Sequence, residues 1–462
     1  MFHVEATTKT KHHNDDDHVL CVESEKQALL SFKQDLVDPF NRLTSWAANG
    51  DDDDDCCNWT GIICDSITGH VKQLQLANTY HDYGGLSGKV NPSLLNLTYL
   101  THLDLSYNNF GGTPIPHFIG SLMSLKYLNF TRAGFEGKIP HQLGNLSSLN
   151  HLILRTNYDW DSSPDKLYAD SLHWVSGLSS LVYLEMRANL SATSDHWLLS
   201  LNKIPSMLEL HMSLCGLTHI HSISDVNFTS LEFLDISGND FQYSSIPNWI
   251  FNLKKLVHLD LSYRFYSGDP FPRNLTNPKS FPSLKYLDLS FGSLNSLPDW
   301  VFGLKNMETF IAPYNNLDVS ILCRFHNMTF LKHLDVSDQF NIDQSTYIPN
   351  CLYSFNNLET LYLISNKLYG VISSAIKNLT SIVNLDLSYN SLEGKIPKSI
   401  GILCNLQRIS LSGNKLEGEI SDALESFIGC NPKGITSFSL DENLFYGQLK
   451  DEVIEKFESL TC

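Results

Sequence analysis

The sequence predicts an α/β-type solenoid. It is expected to be a right-handed superhelix with a parallel concave sheet, 3-10 turns and loops on the convex side, and a disulfide-stapled helical cap at its N-terminal end. Three observations predict it. A leucine pattern recurs about every 26 residues, an asparagine recurs at one place within that pattern, and four cysteines bracket a short helical stretch ahead of the first repeat.

The repeat carries most of the weight. "LTHLDLSYNNF" (100–110), "LEFLDISGNDF" (231–241), "LETLYLISNKL" (358–368), "IVNLDLSYNSL" (382–392) and "LQRISLSGNKL" (406–416) all read L-x-x-L-x-L-x-x-N-x-L, a leucine-rich repeat. The asparagine position falls at residues 79, 108, 133, 157, 189, 215, 239, 264, 292, 315, 339, 366, 390, 414 and 443, fifteen repeats in all. The L-x-L pair alternates, so both leucines face one side of a short strand, and the next coil stacks its strand about 4.8 Å away. One coil cannot bury its leucines alone; stacking makes the core continuous. Asparagine fills nine of the fifteen ladder positions, and its amide can satisfy buried backbone groups where the chain leaves the strand. The exceptions are Thr79, Ala133, Cys215, Arg264, Gly292 and Gln339. Cys215 reads as a buried structural thiol.

Ahead of the repeats, "CVESEKQALLSFKQDLVDP" opens with Cys21. Ser24 and Gln27 suggest a capping box before an amphipathic helix bearing Leu29, Phe32 and Leu36, stopped at Pro39. "NRLTSW" and "CCNWTGIIC" follow, giving Cys21, Cys56, Cys57 and Cys64. Adjacent cysteines make poor partners. Two connectivities then remain: 21–56 with 57–64, or 21–57 with 56–64. No C-x-x-C pair or zinc-spaced histidine is present, so the cluster reads as a clasp rather than a metal site. Asp51–Asp55 lacks the alternation and glycine of a calcium loop and reads as solvated. Cys323 and Cys351 lie at near-equivalent places in adjacent coils, a separation that a disulfide spans. The organisation is therefore a disordered leader over 1–20, an N-terminal cap over 21–68, and a solenoid over 69–462 that stops in mid-repeat.

Composition excludes several function classes. With 32 Lys+Arg against 50 Asp+Glu the net charge is −18, which argues against a nucleic-acid binder. No stretch has the roughly 18 apolar residues of a membrane helix, and residues 1–20 lack the apolar core of a signal peptide. The chain is expected to be truncated at both ends. Nucleophile elbow, phosphate loop, kinase signature and metal-ligand spacing are all missing from the sequence, so no enzyme activity and no cofactor are expected. Nine N-x-S/T sequons and ten cysteines point to a secreted protein. Glycosylation is expected at Asn58, Asn96, Asn129, Asn145, Asn227, Asn274, Asn327 and Asn378 but not at the ladder residue Asn189. Asn96, Asn145, Asn227, Asn327 and Asn378 each precede a ladder position by 12 residues and so share one place on the coil.

"ESEKQALLSFKQDL", "NRLTSW", "CCNWTGIICD", "TGHV", "LGNLSSL" and "LDLSYNSLEGKIP" together resemble the ectodomains of plant extracellular leucine-rich-repeat receptor-like proteins. The nearest group is the disease-resistance type that includes scab-resistance, Cf-type and fungal-xylanase receptors. The resemblance runs from Cys21 to the end. "GKIP" at Gly137–Pro140 and Gly394–Pro397, and "GEIS" at Gly418–Ser421, match the plant form of the repeat. The resemblance selects the pairing 21–56 with 57–64 and implies a further disulfide between Cys404 and Cys430. It also implies a surface sensor that binds a microbial or endogenous protein, peptide or glycan elicitor at the outer face of the plasma membrane. Such proteins signal through co-receptor kinases and carry one membrane helix after the last repeat, which is not among these residues. A soluble inhibitor of a wall-degrading enzyme is the alternative.

Residues flanking the leucines should line the concave face. Asp104, Glu185, Asp235, Asp260, Asp288, Asp335 and Asp386 form an acidic row. Beside it run His102, Tyr127, His151, Tyr183, Phe233, His258, Tyr286 and His333. Aromatic anchors carry interface energy, which makes Tyr127, Tyr183, Phe233, His258, Tyr286 and His333 candidate ligand contacts. Arg132, Arg155 and Arg187 fall in three successive repeats just before the ladder position and could hold an acidic partner. The lengthened repeats at 158–177 and 267–280 are further candidate binding loops.

Overall fold

The computed structural model describes residues 19–47, 55–78, 84–156, 167–223, 225–241, 247–263, 281–339, 345–430 and 434–457. Most of the leader, Asn274, Arg264, Cys462 and most of the two lengthened repeats lie outside the described residues. The chain divides into two compact units, residues 1–162 and 163–462, each taken in turn.

The first unit begins with the helix Glu23–Gln34. Glu23 and Glu25 sit in its first turn and Lys33 in its last, each on the side the helix dipole favours. Ala28, Leu29 and Phe32 are buried at the three- and four-residue spacing of one helix face. The expected capping box does not form. The helix starts at Glu23, a residue before Ser24, and Gln27 Nε2 instead donates to Glu23 Oε1 at 2.8 Å. Leu36 lies beyond the helix, in the strand Leu36–Val37 that pairs with Ser87–Gly88. The clasp joins Cys21 to Cys56 and Cys57 to Cys64. "NRLTSW" ties the cap to the first coils. Arg42 donates to the carbonyls of Leu76 and Ala77 and to Asn108 Oδ1. Trp46 stacks on Trp59 at 5.7 Å and donates to the Thr60 carbonyl. The cap is thereby pinned to the first ladder asparagine.

The sheet of this unit pairs Ile62–Cys64 antiparallel with Val71–Gln75, which then runs parallel with His102–Asp104, Tyr127–Asn129 and His151–Arg155. In the second unit eleven strands from Tyr183–Arg187 to Ser437–Ser439 pair in parallel, in unbroken register. Each three-residue strand from Glu209–His211 to Arg408–Ser410 has a buried centre and half-buried or exposed flanks, as the alternation requires.

Beneath the sheet runs the asparagine ladder. Asn315 is fully buried; its Nδ2 donates to the carbonyls of Leu289, Ala312 and Pro313, and its Oδ1 accepts from the N–H groups of Gly292 and Leu294. Asn239, Asn366, Asn390 and Asn414 repeat this arrangement. Gln339 performs it with one more methylene, its Nε2 reaching Ala312, Val336 and Ser337 while Oε1 accepts from Leu317. Cys215 is buried and free, and its Sγ lies 3.1 Å from the Met186 carbonyl, where an asparagine Nδ2 would donate. Burial pushes its thiol up to about 12. Asn189 departs from the ladder. Its neighbours Ala188 and Leu190 turn inward, leaving Asn189 half-buried with Oδ1 on the Ser191 N–H.

Opposite the strands lie short 3-10 helices such as Pro92–Asn96, His141–Asn145 and Lys398–Ile402. The "GKIP" element explains the return. Gly394 ends a strand of a second, five-stranded sheet at φ +75, a region that favours glycine, and Pro397 then starts the 3-10 helix. In "GEIS" no proline follows, and an α-helix Ile420–Glu425 forms instead. Cys323–Cys351 and Cys404–Cys430 staple neighbouring coils, each with Cα atoms 5.3 Å apart.

Candidate ligand-binding face

Parallel register turns the outward residues of successive coils into columns. In the second unit the first column contains Tyr183, Glu209, Phe233, His258, Tyr286, Thr309 and His333, and the second Glu185, His211, Asp235, Asp260, Asp288, Ile311 and Asp335. The rings stack along the sheet. Phe233 lies 3.8 Å from His258, and His258 lies 3.8 Å from Tyr286, both near-parallel. At Glu209–His211 the acid and the ring have exchanged columns. His211 nevertheless bridges the stack diagonally, 5.0 Å from Tyr183 and 4.2 Å from Phe233, with Nε2 3.3 Å from Glu209 Oε2. Tyr183, Phe233, His258 and Tyr286 are thus one continuous run completed by His211, a residue the repeat pattern did not single out. The signal was present: "LELHMS" has a ring one step out of phase. His333 is exposed and set apart by Thr309.

A third column was not anticipated from the repeat pattern. Tyr263, Phe291 and Tyr314 follow the acidic column at the turn, each with φ near +55. Their rings stack at 4.3 and 4.1 Å, and Tyr263 is 53% exposed.

Between the two ring columns lies the acidic row. Its aspartates also shape the backbone. The Oδ1 of Asp235, Asp260, Asp288, Asp335 and Asp386 accepts the N–H of the serine two residues on. This Asx turn explains the recurrent L-D-L-S. Burial, then Asp288 and Asp235 on either side, push Asp260 up to about 7. Burial raises Asp288 and Asp335 as well. It also holds His258 down, at about 4, and so keeps it neutral.

In the first unit the corresponding columns are His102, Tyr127, His151 and Asp104, Asn129, Ile153. His102 stacks on Tyr127 at 4.1 Å, and Tyr127 lies 5.9 Å from His151. The arginines do not share one column. Arg155 and Arg187 end their strands, whereas Arg132 lies one residue further along its coil, in a left-handed turn with φ +49, exposed and 5.9 Å from the Tyr107 ring. The one-residue difference is one of spelling: Arg132 stands directly before ladder residue Ala133, whereas Arg155 and Arg187 stand two residues before ladder positions 157 and 189.

Among the sequons, Asn58, Asn96, Asn145, Asn327 and Asn378 end 3-10 helices and are exposed; Asn227 is exposed in a loop. Asn129 differs. It is half-buried in the sheet, with Oδ1 on the Thr131 N–H and Nδ2 near Tyr127 Oη and Asp104 Oδ2. The four clasp sulfurs lie within 4.8 Å of one another, but paired as two disulfides they offer no thiolate to a metal.

A stapled cap, stacked L-x-L strands and a buried asparagine ladder define a leucine-rich-repeat protein. Residues 22–65 match the leucine rich repeat N-terminal domain, and residues 99–122, 230–253 and 356–416 match leucine rich repeats. The chain is similar to plant leucine-rich-repeat receptor-like proteins. It is 38% identical over 284 residues to Receptor-like protein EIX1 of Solanum lycopersicum, an alignment covering 58% of this chain and 26% of the relative. It is 36% identical over 373 residues to Receptor-like protein EIX2 of the same plant, covering 76% and 32%. The chain thus spans about a third or less of these relatives. Among solved structures, the Arabidopsis receptor kinase HAESA, in complex with the peptide hormone IDA and the co-receptor SERK1, shares the fold at TM-score 0.62 and 22% identity, covering 95% of this chain and 77% of that one. The Leptospira interrogans protein LIC12759 does so at TM-score 0.64 and 23% identity, covering 81% and 88%. No helix among the described residues is long and apolar enough to cross a membrane.

Proposed function

We propose that this chain is the extracellular recognition region of a cell-surface receptor-like protein in plant defence. It acts by binding a protein, peptide or glycan elicitor, without catalysis, and passes the signal to partner receptor kinases. The observation that carries this is the stacked run from Tyr183 to Tyr286 on an otherwise polar sheet face. Rings already ordered by stacking lose little freedom on binding and supply contact area. The similarity to Receptor-like proteins EIX1 and EIX2 supports the defence setting.

The test uses the secreted chain immobilised on a sensor surface, with a fungal xylanase as first analyte. Saturable binding that falls at least tenfold in Tyr286→Ala and Phe233→Ala supports the reading. Stoichiometric inhibition of a pectin-degrading enzyme, with no effect of the ring substitutions, would replace it with that of a soluble inhibitor.

A further inference from the structure

We propose that the face between the two ring columns of the second unit binds an extended basic peptide segment, with its Lys or Arg side chains seated on Asp260 and Asp288. This rests on the reading of that face as the recognition surface and supplies the chemistry of the partner.

Three features of the molecule lead to it. First, the acidic row has no basic partner among the described residues: no Lys or Arg there pairs with Asp235, Asp260, Asp288 or Asp335. The nearby cations are engaged one residue outside the ring column: Lys285 pairs with Glu308 at 2.8 Å and Lys332 with Glu359 at 3.9 Å. The chain as a whole carries −18, so the field over this face attracts cations. Carboxylates stacked at strand spacing, half-buried and without a counter-charge resist ionisation, and the ordinary relief for such groups is an opposite charge from outside.

Second, the geometry suits a linear array of single charges better than a metal ion. Each carboxylate already commits Oδ1 to the serine N–H two residues on. One oxygen per coil is left for an outside partner, that of Asp288 with Tyr286 Oη 3.5 Å away as a weak donor, and the coils recur at about the 4.8 Å strand spacing. Calcium needs six to eight oxygens converging on one point. A row of one oxygen per coil meets a row of ammonium or guanidinium groups instead.

Third, the row has walls. Phe233, His258 and Tyr286 run along one side, and Tyr263, Phe291 and Tyr314 along the other. The rings cover one another's faces and turn their edges to solvent. They offer apolar rails for the methylene stems of lysine or arginine, with the charged heads directed to the carboxylates between them. A protein that must first unfold a segment to lay it in this channel is a poorer fit than a segment already extended.

The experiment measures fluorescence anisotropy of a labelled twelve-residue peptide of alternating lysine and threonine against the whole secreted chain, beside the matching glutamate–threonine peptide. The lysine peptide should bind at least tenfold tighter than the glutamate peptide and weaken about tenfold between 50 and 300 mM salt. The double variant Asp260→Asn/Asp288→Asn should lose at least tenfold, while Asp386→Asn, beyond the ring columns, should change binding less than threefold. Asparagine preserves the turn, since Asn129 occupies the same place in its own coil and accepts the Thr131 N–H at 2.9 Å. An unchanged melting temperature confirms that the variant is folded. Equal binding of the two peptides, full affinity in the double variant, or an equal loss in Asp386→Asn would each overturn the proposal. Xylanase binding that depends on Tyr286 but not on the aspartates would overturn this inference alone and leave the recognition face standing. Loss with neither set of substitutions would remove the recognition face itself.

Discussion

The two units share an inner frame and differ in what they carry outside it. Within the first, Asn108 donates to the carbonyls of Leu76, Leu105 and Ser106; within the second, Asn315 donates to those of Leu289, Ala312 and Pro313. Outside, the first unit's acidic column has shrunk to Asp104, followed by Asn129 and Ile153, and exposed Arg132 follows it. The second places Asp235, Asp260 and Asp288 on consecutive strands. An outward residue changes without disturbing the leucines, so each stretch of the sheet can take its own chemistry.

The sharpest way to break this comparison is to remove the shared frame. Asn315→Ala leaves three carbonyls and two N–H groups without their amide partner in a site that water does not reach. At about 1–3 kcal/mol for a buried group left unsatisfied, the loss should exceed about 3 kcal/mol. Asn108→Ala should cost at least as much, because the Arg42 guanidinium loses an acceptor too. Urea unfolding of the secreted variants measures both. A cost under about 1 kcal/mol at either site would mean that the ladder does not hold the coils.

The staples come next and separate the units. In the first, both disulfides lie within the cap; in the second they tie coil to coil. Replacing Cys323 and Cys351 together by serine removes a link of sequence separation 28 and should cost about 3 kcal/mol. The loss should appear as earlier proteolysis in the second unit, with the cap left intact. Cleavage in the cap first would show that the staple does not act locally.

These sites also show what a sequence can and cannot tell. The inward leucines, the ladder and the cysteine pairs were legible because stacking demands the same residue at the same place in every coil. Gln339 was found by position and keeps the three carbonyl bonds of an asparagine, with one N–H accepted in place of two. Asn189 fits the pattern by spelling but turns outward, since its buried neighbours Ala188 and Leu190 decide the register. The outward columns repeat only loosely, because solvent imposes no common answer. Hence the Tyr263–Phe291–Tyr314 stack did not follow from the repeat, while His211 one step out of phase and Arg132 one residue nearer its ladder position were present in the sequence without a rule to single them out. The aspartates were legible as an acidic row but not as turn formers, although Asp235, Asp260, Asp288, Asp335 and Asp386 each close a turn.

A smaller effect sharpens the outer difference. Asn129→Asp gives the first unit a second acid beside Asp104 while keeping the acceptor for Thr131. Thermal stability should fall by no more than about 1 kcal/mol, the range of a like-charge neighbour on a sheet. A larger drop would show that the neutral amide, through its contacts with Tyr127 and Asp104, is part of the frame after all.

The last effect concerns Asp260, and its sign is fixed. Its folded pKa is raised to about 7, so the folded chain holds a proton that the unfolded chain releases at ordinary carboxylate pH. Stability from this group therefore falls as pH rises towards 7, and the full penalty is present above it. Asp260→Asn removes the penalty. The melting temperature of the variant minus that of the parent should be near zero at pH 3, grow as pH rises from about 4 to 7 and level off above that. His258 has the opposite sense. Held at about 4, it costs stability as pH falls below the range where the unfolded imidazole takes up its proton. That term is common to both chains and cancels in the difference. A difference independent of pH would mean that neither burial nor the neighbouring Asp288 and Asp235 raise Asp260. The acidic row would then be spread out and solvated, like the lone Asp104 of the first unit.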